Sequence, residues 1–361
     1  MTAILVDAET PYQVLVGGGA LRRLPELVGG AAKVAIIHPA STATVAGRAA
    51  SLARSAGAEA VRIEIPDAEA AKSATTLSLC WDLLAAAGFT RSDLVVGIGG
   101  GATTDLAGFV AATWLRGVRL VSVPTTVLGM VDAALGGKTG INIPAGKNLV
   151  GAFHEPSGVL CDLELLQSLP VDDLRGGLAE VIKTGFIADA AILDLIQSRP
   201  EACLRWDSEV LTELIIRSVT VKARVVSTDL RESTSIGNQV GRELLNYGHT
   251  LGHAIERREH FRWRHGEAVS VGLVFVAELA RRAGKLDAGI ARRHAELLGL
   301  VGLPVSYHAG AWPDLLAGMG LDKKARGSTL RFVILTDIAR AEILAGPAPA
   351  LLEAAYASIS R

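Results

Sequence analysis

The sequence predicts an α/β protein in two parts, a first domain built on a mostly parallel sheet and a second, mainly α-helical domain. Up to about residue 165, short apolar runs alternate with glycine-rich turns and helical patterns, which is typical of crossover units. Beyond Leu166, long amphipathic patterns replace the strand patterns. The segment QSLPVDDL around Pro170 is typical of a turn that leads into a new helix. We therefore predict domains over 1–169 and 170–361.

Four apolar runs of the first half have the length and composition of strands. They are KVAIIH (33–38), VRIEI (61–65), DLVVGIGG (93–100) and RLVSVP (119–124). In the second half, the 3.6-residue period of the apolar positions predicts helices over AILDLIQ, VLTELIIRSVTVKARVV and EAVSVGLVFVAELARRAG. Only LRFVIL (330–335) is predicted to be a strand there.

Composition excludes several classes of protein. The 361 residues include 36 Lys+Arg and 37 Asp+Glu, and half are hydrophobic, so the chain is neither a disordered tail nor a polybasic nucleic-acid binder. No run reaches the about 18 apolar residues of a membrane span, and the first residues lack the pattern of a secretory signal. Cys80, Cys161 and Cys203 lack the spacing of a cysteine zinc site. We expect a cytoplasmic enzyme that binds neither nucleic acid nor membranes.

The segment LVVGIGGGATTDLAGFV is predicted to be a strand, a glycine-rich turn and a helix that opens near Thr103. Glycines at such a turn let backbone N–H groups approach a diphosphate at the helix N-terminus. The spacing Gly97-x-Gly99-x-x-Ala102 matches a dinucleotide fingerprint, although RLV replaces the acidic residue expected about 20 positions later. The alternative is a tight turn without a ligand, with Asp105 only a favourable partner of the helix dipole.

The segment 123–156, VPTTVLGMVDAALGGKTGINIPAGKNLVGAFHEP, is predicted to be a polar loop. Its GGKTG resembles an ATP phosphate loop, but Asp132 occupies a position that such a loop requires to be glycine. The segment nevertheless offers donors and acceptors to an anionic, hydroxylated ligand, while a solvated loop is the alternative. These side chains are Thr125, Thr126, Asp132, Lys138, Lys147, Asn148 and His154.

A candidate metal site is formed by carboxylate and imidazole side chains of the second half. His249 and His253 lie one helical turn apart, which suits a divalent ion, and Glu180 would complete a zinc-like set. Glu180 and Lys183 share one helix face, and a surface ion pair is the alternative for these two residues. No glutamate follows the first histidine directly, which disfavours a zinc protease. His260 lies among arginines and is predicted to be on a solvated helix face.

Six ordered motifs give the chain a family resemblance. They are GGGATTDLAGFVAATWLRG, VPTTVLGMVDAALGGKTGIN, GKNLVGAFHEP, GLAEVIKTGFIAD, LLNYGHTLGHAIE and RHGEAVSVG. From about Ile65 through DKK at 322–324, the chain resembles the 3-dehydroquinate synthases of the sugar-phosphate cyclase group. The resemblance implies a Rossmann-like NAD domain, a helical domain that carries one divalent metal, Zn²⁺ or Co²⁺, and an active site in the cleft between them. It also implies a homodimer.

The same resemblance implies roles for individual residues. Glu180, His249 and His265 become the metal ligands, and His253 becomes a residue beside the substrate that handles protons. The residues implied to hold the substrate are Asp132, Lys138, Asn148, Lys183, Lys222, Arg242, Asn246 and Lys323, with Arg116 reaching its phosphate from the partner subunit. The implied NAD contacts are Glu69, Lys72, Gly100, Gly101, Asp105, Thr125, Thr126 and Lys147, with Asp132 and Lys138 also near the cofactor.

Two positions depart from the family pattern. His38 stands at the strand end where an acidic residue commonly binds the adenosine ribose. The segment DLRESTSIGNQVG (229–241), between Lys222 and Arg242, is longer than the pattern. We expect this segment to act either as a lid that settles over the substrate or as an inert surface extension.

The reaction implied by the resemblance is redox-neutral. A lyase would convert 3-deoxy-D-arabino-heptulosonate 7-phosphate to 3-dehydroquinate and phosphate, a step of the shikimate pathway. The sequence of events is transient oxidation by NAD, β-elimination of phosphate, reduction, ring opening and aldol closure. The substrate phosphate itself can accept a proton, so the side chains of the site mainly orient the substrate and place charge.

Three other functions compete with this one. A sister cyclase of secondary metabolism would make aminodehydroquinate, a valiolone or a deoxy-inosose, but Lys183 and the contexts GINIPAGKN and HGEAV favour the dehydroquinate synthases. An iron- or zinc-dependent alcohol dehydrogenase would release NADH and would lack the phosphate-binding loop at 138–148. A binding module without activity is the least favoured, because it would need neither a metal cluster nor a phosphate-binding loop.

Overall fold

A computed structural model of the chain describes residues 1–231, 240–326 and 329–361, with the backbone alone over 321–326. Its contacts divide the chain into two compact units. One consists of Met1–Leu169 with Lys222–Arg231, and the other of Pro170–Val221 with Glu232–Arg361. Residues 222–231 thus group with the first unit although they follow Pro170 in the chain.

The first unit is an α/β domain, as predicted. Its strands are β1 (Thr2–Val6), β2 (Tyr12–Gly17), β3 (Lys33–Pro39), β4 (Glu59–Ile65), β5 (Leu94–Gly99), β6 (Arg119–Pro124), β7 (Lys138–Ile143), β8 (Gly146–Phe153) and β9 (Gly158–Asp162). Its helices are α1 (Leu24–Val28), α2 (Ala43–Ser55), α3 (Ala74–Ala86) and α4 (Gly101–Thr113).

Seven strands form one sheet in the order β1-β2-β9-β6-β5-β3-β4. All neighbours are parallel except β1 and β2. Alternate residues of the central strands face opposite cores: Val96 packs in a cluster with the alanines of α2, and Val95 in a cluster with α3 and α4. The strand order reverses between β3 and β5, which is where doubly wound sheets bind ligands beyond the strand ends.

The segment 123–156 is not the single loop that its polar composition predicts. It contains a π-helical turn, Gly129–Ala133, and the antiparallel hairpin β7–β8. The hairpin approaches α4 at Gly108, where a side-chain carbon would overlap Thr139. Polar residues and glycines dominate these strands because they are largely outside the core, so they lack the apolar alternation that identifies a strand.

The second unit is mainly helical, as predicted. Its elements are α5 (Val171–Ala188), α6 (Ala190–Ser198), the first part of α7 (Glu209–Thr228), α8 (His249–Arg258), α9 (His265–Arg282), α10 (Ala288–Leu300), α11 (Trp312–Arg326), β10 (Arg331–Asp337), β11 (Arg340–Ala345) and α12 (Pro349–Ala357). Strand β11, which pairs with β10, was not predicted. Most of its side chains are only partly buried, so its apolar pattern is weak.

Cys80, Cys161 and Cys203 are buried, and each is a free thiol. In the part of the chain that is described, no helix combines the length and apolar character needed to cross a bilayer.

Helices α8 and α9 cross at glycines, and this close approach brings their histidines together. A side-chain carbon on Gly272 would overlap the carbonyl oxygen of Gly248, and one on Gly252 would lie 3.3 Å from the carbonyl oxygen of Ala268. Backbone atoms are the obstacle in both places, and they cannot rotate away as a side chain can. The crossing therefore tolerates no larger residue at Gly272.

We predict that Gly272→Ala destabilises the protein by about 2 kcal/mol or more, because overpacking displaces the helix backbones. Gly299→Ala is the matched control: Gly299 is a helical glycine with no neighbour within 4 Å of an added carbon, so alanine should be neutral or stabilise by up to about 1 kcal/mol. Thermal unfolding midpoints check both variants. Equal midpoints for the two would contradict the crossing described above.

Candidate active site and metal centre

A buried lysine organises the polar residues of the first unit. Lys72, only 3% exposed, donates hydrogen bonds to the carboxylate of Asp105 on α4 and to the side-chain carbonyl of Asn148 on β8. Asn148 has a φ of 54°, a left-handed conformation that asparagine tolerates. Burial raises the pKa of Asp105, and the Lys72 ammonium offsets part of that rise. The three side chains come from distant points of the chain and form one ionic cluster.

A second group of contacts joins the same hairpin to the 3₁₀ turn Ala68–Ala71. Glu69 accepts a hydrogen bond from the Asn142 amide at 2.6 Å and pairs with Lys147 at 3.2 Å. Asn142 also accepts from the backbone N–H of Asn148 at 3.1 Å, and its own N–H donates to the Lys72 carbonyl at 2.8 Å. Asn142 was not among the predicted site residues, because a lone amide in a polar segment carries no distinctive pattern.

The turn after β5 has the shape that a diphosphate needs. Gly100 caps the N-terminus of α4, and no described side chain caps it. A side-chain carbon on Gly101 would lie 2.9 Å from that of Ala133, and one on Gly99 would collide with Thr103. Larger residues would therefore not fit at Gly99 and Gly101, and the first turn of a 13-residue helix begins at this point. These residues fit the diphosphate of a dinucleotide.

Other predicted residues of the first unit occupy separate places. Thr125 donates its backbone N–H to the Gly99 carbonyl, and the Thr126 hydroxyl accepts from the N–H of Gly129, so both lie beside the glycine turn. Asp132 pairs with Lys222 through its carboxylate and its carbonyl oxygen. Lys138 begins β7 and is exposed.

Arg116, His154 and His38 are further candidate residues of the first unit. Arg116 is exposed, with a φ of 66°. His154 donates from Nε2 to the Val118 carbonyl at 2.8 Å. His38 is 2% exposed and bonds the Pro39 carbonyl through Nδ1.

In the second unit, three ligand atoms converge from three helices. Glu180 lies on α5, His249 begins α8 and His265 begins α9, and one donor atom from each lies within 4.8 Å of the others. Oε1 of Glu180 is 3.4 Å from Nε2 of His249 and 3.5 Å from Nε2 of His265. One carboxylate and two imidazoles form the kind of three-ligand set that catalytic zinc uses.

The fit of a metal to these atoms is tested by the hydrogen bonds around them. Glu180 is 2% exposed, and its Oε1 makes no hydrogen bond to any described residue. Its other oxygen is paired with the Lys183 ammonium, which also donates to the Leu245 carbonyl at 2.7 Å. Because a buried carboxylate oxygen without a partner is costly, a cation facing Oε1 satisfies the site. The Glu180–Lys183 pair is thus buried, which excludes the surface alternative.

The charges of this centre shift several pKa values. Burial opposes ionisation of Glu180, but Lys183 and His249 hold its pKa well below the usual range. Burial also opposes the charged form of His265, but the neighbouring carboxylates of Glu180 and Glu256 raise its pKa to about 10. A metal that binds His265 therefore displaces a proton from it.

His253 lies beside the centre without joining it. Its ring centroid is 5.3 Å from that of His249 and 6.2 Å from that of His265. Burial, together with His249, lowers the pKa of His253 to about 3, so its ring is neutral near pH 7. Helical spacing had paired His253 with His249, but the third converging residue in the described chain is His265, from the next helix.

Arg242 and Asn246 precede helix α8 and do not belong to it. They lie in a separate 3₁₀ turn, Gly241–Asn246, and Gly248, with a φ of 81°, separates that turn from α8. Arg242 is buried and Asn246 partly buried. His260 is exposed, as predicted, but it lies in a turn after α8 has ended.

Two expectations concern positions that the structure does not describe. The side chain of Lys323 and most of the segment 229–241 lie outside the described residues. The lid and surface-extension alternatives for that segment both remain predictions.

The two centres together, a glycine-rich turn for a diphosphate and a carboxylate-histidine set for a metal, are typical of enzymes that use a dinucleotide and a metal ion. Comparison with known families agrees. Residues 62–176 match the model of the 3-dehydroquinate synthase N-terminal domain, and 177–325 match that of the C-terminal domain. The chain belongs to the 3-dehydroquinate synthase family, which confirms the resemblance noted in the sequence.

Individual relatives give the same result. The chain is 58% identical to 3-dehydroquinate synthase of Thermobifida fusca (strain YX) over 352 residues, which is 97% of this chain and 94% of that relative. It is 56% identical to 3-dehydroquinate synthase of Streptomyces coelicolor over 350 residues, or 97% of this chain and 95% of that one.

Among solved structures, the fold is similar to those of two other cyclases. A 2-epi-5-epi-valiolone synthase from Streptomyces hygroscopicus subsp. jinggangensis 5008, with NAD⁺ and Zn²⁺ bound, superposes with a TM-score of 0.87 at 26% identity, covering 96% of both chains. A 2-deoxy-scyllo-inosose synthase complexed with carbaglucose-6-phosphate, NAD⁺ and Co²⁺ gives a TM-score of 0.87 at 23% identity, covering 98% of this chain and 99% of that one.

We predict that Glu180→Ala, His249→Ala and His265→Ala each abolish stoichiometric binding of a divalent metal, because each removes one of three converging donors. His253→Ala is the matched control, a neighbouring histidine whose loss should leave the bound metal in place while activity falls. Elemental analysis after gel filtration measures metal per chain. Equal metal loss in the His253 variant would make it a ligand and contradict the assignment.

Proposed function

We propose that the chain is a phosphate-eliminating lyase that converts 3-deoxy-D-arabino-heptulosonate 7-phosphate to 3-dehydroquinate and phosphate. The observation that carries this proposal is the 58% identity to a 3-dehydroquinate synthase across 97% of the chain. Identity to the valiolone synthase is only 26%. The product and the reaction class therefore follow the nearer relatives, and the sister cyclases remain the second candidate.

The substrate carries a carboxylate, hydroxyls and a phosphate, and the chain offers matching cations and amides. We propose that Lys138, Lys183, Lys222 and Arg242 face its anionic groups, since ammonium and guanidinium donors make charge-assisted hydrogen bonds to carboxylate and phosphate. Asp132, Asn148, Asn246 and Lys323 would orient its hydroxyls and carboxylate. Lys183 and Arg242 are each 2% exposed, so their charges are desolvated and act strongly on a bound anion.

We propose NAD as the dinucleotide. The glycine turn at Gly100 and Gly101 would hold its diphosphate, and the cluster of Lys72, Asp105, Glu69 and Lys147 would hold the remaining polar groups, with Thr125 and Thr126 at the edge of the turn. When bound, NAD supplies a hydride acceptor and later a hydride donor. The buried Lys72 pair keeps the Asp105 carboxylate in one orientation before the cofactor arrives.

We propose that Glu180, His249 and His265 hold Zn²⁺, as a carboxylate with two imidazoles suits this ion. When bound, the metal supplies Lewis-acid polarisation of a substrate hydroxyl. His253, neutral near pH 7, lies beside the centre without a charge that competes with the metal. Apart from His253, the proposed site is rich in donors and poor in bases, which suits a reaction whose leaving phosphate takes up a proton itself.

We propose a homodimer as the working form. The hairpin strand β8 exposes Leu149 (58%), Val150 (39%) and Phe153 (43%), and Leu115 (40%) lies beside Arg116. Exposed apolar side chains clustered on one hairpin are typical of an interface between subunits. A second copy on this surface would let Arg116 reach the partner's substrate phosphate.

We predict that NAD acts catalytically. With 3-deoxy-D-arabino-heptulosonate 7-phosphate and NAD far below the substrate concentration, phosphate release should continue to completion with no net NADH, because oxidation and reduction occur on one bound intermediate. Phosphate assay and NADH absorbance measure this together. Glucose 6-phosphate is the control substrate and should release no phosphate; its turnover would favour a deoxy-inosose synthase, and NADH equal to product would favour a dehydrogenase.

A second prediction concerns assembly. Light scattering of the wild-type chain, whose mass is 37.6 kDa, should give twice that value, and Phe153→Asp should shift the protein toward one copy because a buried carboxylate has no partner at an apolar interface. Leu79→Asp is the matched control, an exposed leucine (45%) on α3 that should leave the mass unchanged. A monomeric wild type would contradict the dimer.

A further inference from the structure

We propose that Glu256 is a positioning residue of the metal centre, whose carboxylate holds the His265 ring so that Nε2 faces Glu180. This inference rests on the proposed function only in taking the Glu180, His249 and His265 set to be a metal site. No role for Glu256 was assigned from the sequence.

Glu256 lies on α8, two turns beyond His249, and is 3% exposed. Its Oε2 is 3.2 Å from Nδ1 of His265. A carboxylate oxygen accepts, so Nδ1 is the donor in this bond. Once Nδ1 carries a proton toward Glu256, a neutral ring has its lone pair on Nε2, the atom 3.5 Å from Oε1 of Glu180.

The two ligand histidines are oriented by different means. Nδ1 of His249 donates to the backbone carbonyl of Tyr247 at 3.2 Å, and Tyr247 is buried with its hydroxyl 2.9 Å from Nε2 of His294. The His249 side chain is 10% exposed, against 25% for His265. Packing therefore fixes the His265 ring less than it fixes the His249 ring. The Glu256 carboxylate therefore orients the His265 ring, whereas a backbone carbonyl and packing orient the His249 ring.

Charge gives a second reason for a carboxylate at this position. Lys183 already pairs with Glu180, so that pair contributes little net charge toward a dication. Glu256 adds a buried negative charge next to a ligand ring, which strengthens that ring as a donor to a cation. An apolar residue of similar size would fill the space but would supply neither the charge nor the acceptor.

The test is the metal affinity of the metal-free protein, measured by competition with a chelator for Zn²⁺, in the absence of NAD and substrate. Glu256→Gln should weaken Zn²⁺ binding about 10- to 100-fold, the range found when outer partners of ligand histidines are removed. Glu256→Asp, which keeps the charge on a shorter side chain, should recover part of the loss. Glu259→Gln is the matched control, because Glu259 lies one turn on, bonds Tyr307 and contacts no ligand; it should change affinity less than twofold.

Replacing Zn²⁺ with Co²⁺ gives an absorption spectrum that would not change if Glu256 only stabilised the fold. The ligand-field absorption of Glu256→Gln should shift from that of the wild type, whereas Glu259→Gln should reproduce the wild-type spectrum. Thermal unfolding of each metal-free variant confirms that it is folded. Wild-type affinity and spectrum in Glu256→Gln would overturn the proposal, and so would an equal loss of affinity in Glu259→Gln. Failure of the wild type to release phosphate from the heptulosonate phosphate would count against the proposed function alone.

Discussion

The buried carboxylate of Glu180 is the group on which the arrangement of the second unit depends. An ionised carboxylate removed from water costs several kcal/mol unless charges and hydrogen bonds surround it. Helix α5 is buried along most of its length, so those partners must come from its neighbours. Lys183 supplies the first from the same helix, and the histidines at the starts of α8 and α9 supply the others. The glycine crossing of α8 and α9 is what brings both rings within reach of one oxygen.

The first unit contains a buried cation, which also needs charged or polar partners. Lys72 is 3% exposed, and the carboxylate of Asp105 with the amide of Asn148 compensates its charge. These partners are held on α4 and on the β7–β8 hairpin, and the hairpin lies close to α4 because Gly108 has no side chain. In both units, therefore, small residues at element crossings allow charged groups from distant parts of the chain to meet.

The sequence predicted the large features well because they depend on apolar periodicity. The four predicted strands, β3 to β6, and the long helices bury one or both faces, and burial leaves a regular pattern. Strands β1, β2 and β9 were not predicted, although β2 and β9 are largely buried. The β7–β8 hairpin and β11 were missed because their side chains are only partly buried. The alternation that identifies a strand weakens when neither face is fully covered by a core.

The residues of the candidate site were harder to predict from the sequence than the fold. Helical spacing correctly identified a histidine-rich face on α8 but selected His253 as partner of His249, because spacing reports neighbours within one helix only. The family resemblance named His265, and the structure brings His265 to Glu180 from a separate helix. Glu256 and Asn142 were not recognised at all, since their roles consist of contacts to other site residues, which leave no local pattern. Glu256 contacts His265 and Asn142 contacts Asn148, and these contacts can be recognised only once the fold is known.

X-ray absorption at the zinc edge of the zinc-loaded protein tests the central claim most directly, because it counts the ligands of the ion itself. We predict two imidazole nitrogens and carboxylate oxygen at about 2.0–2.2 Å, with no sulfur, as Glu180, His249 and His265 require. A third imidazole would place His253 in the ligand set. A third imidazole, or a thiolate, would contradict the account of Glu180 as the carboxylate around which the metal centre is built.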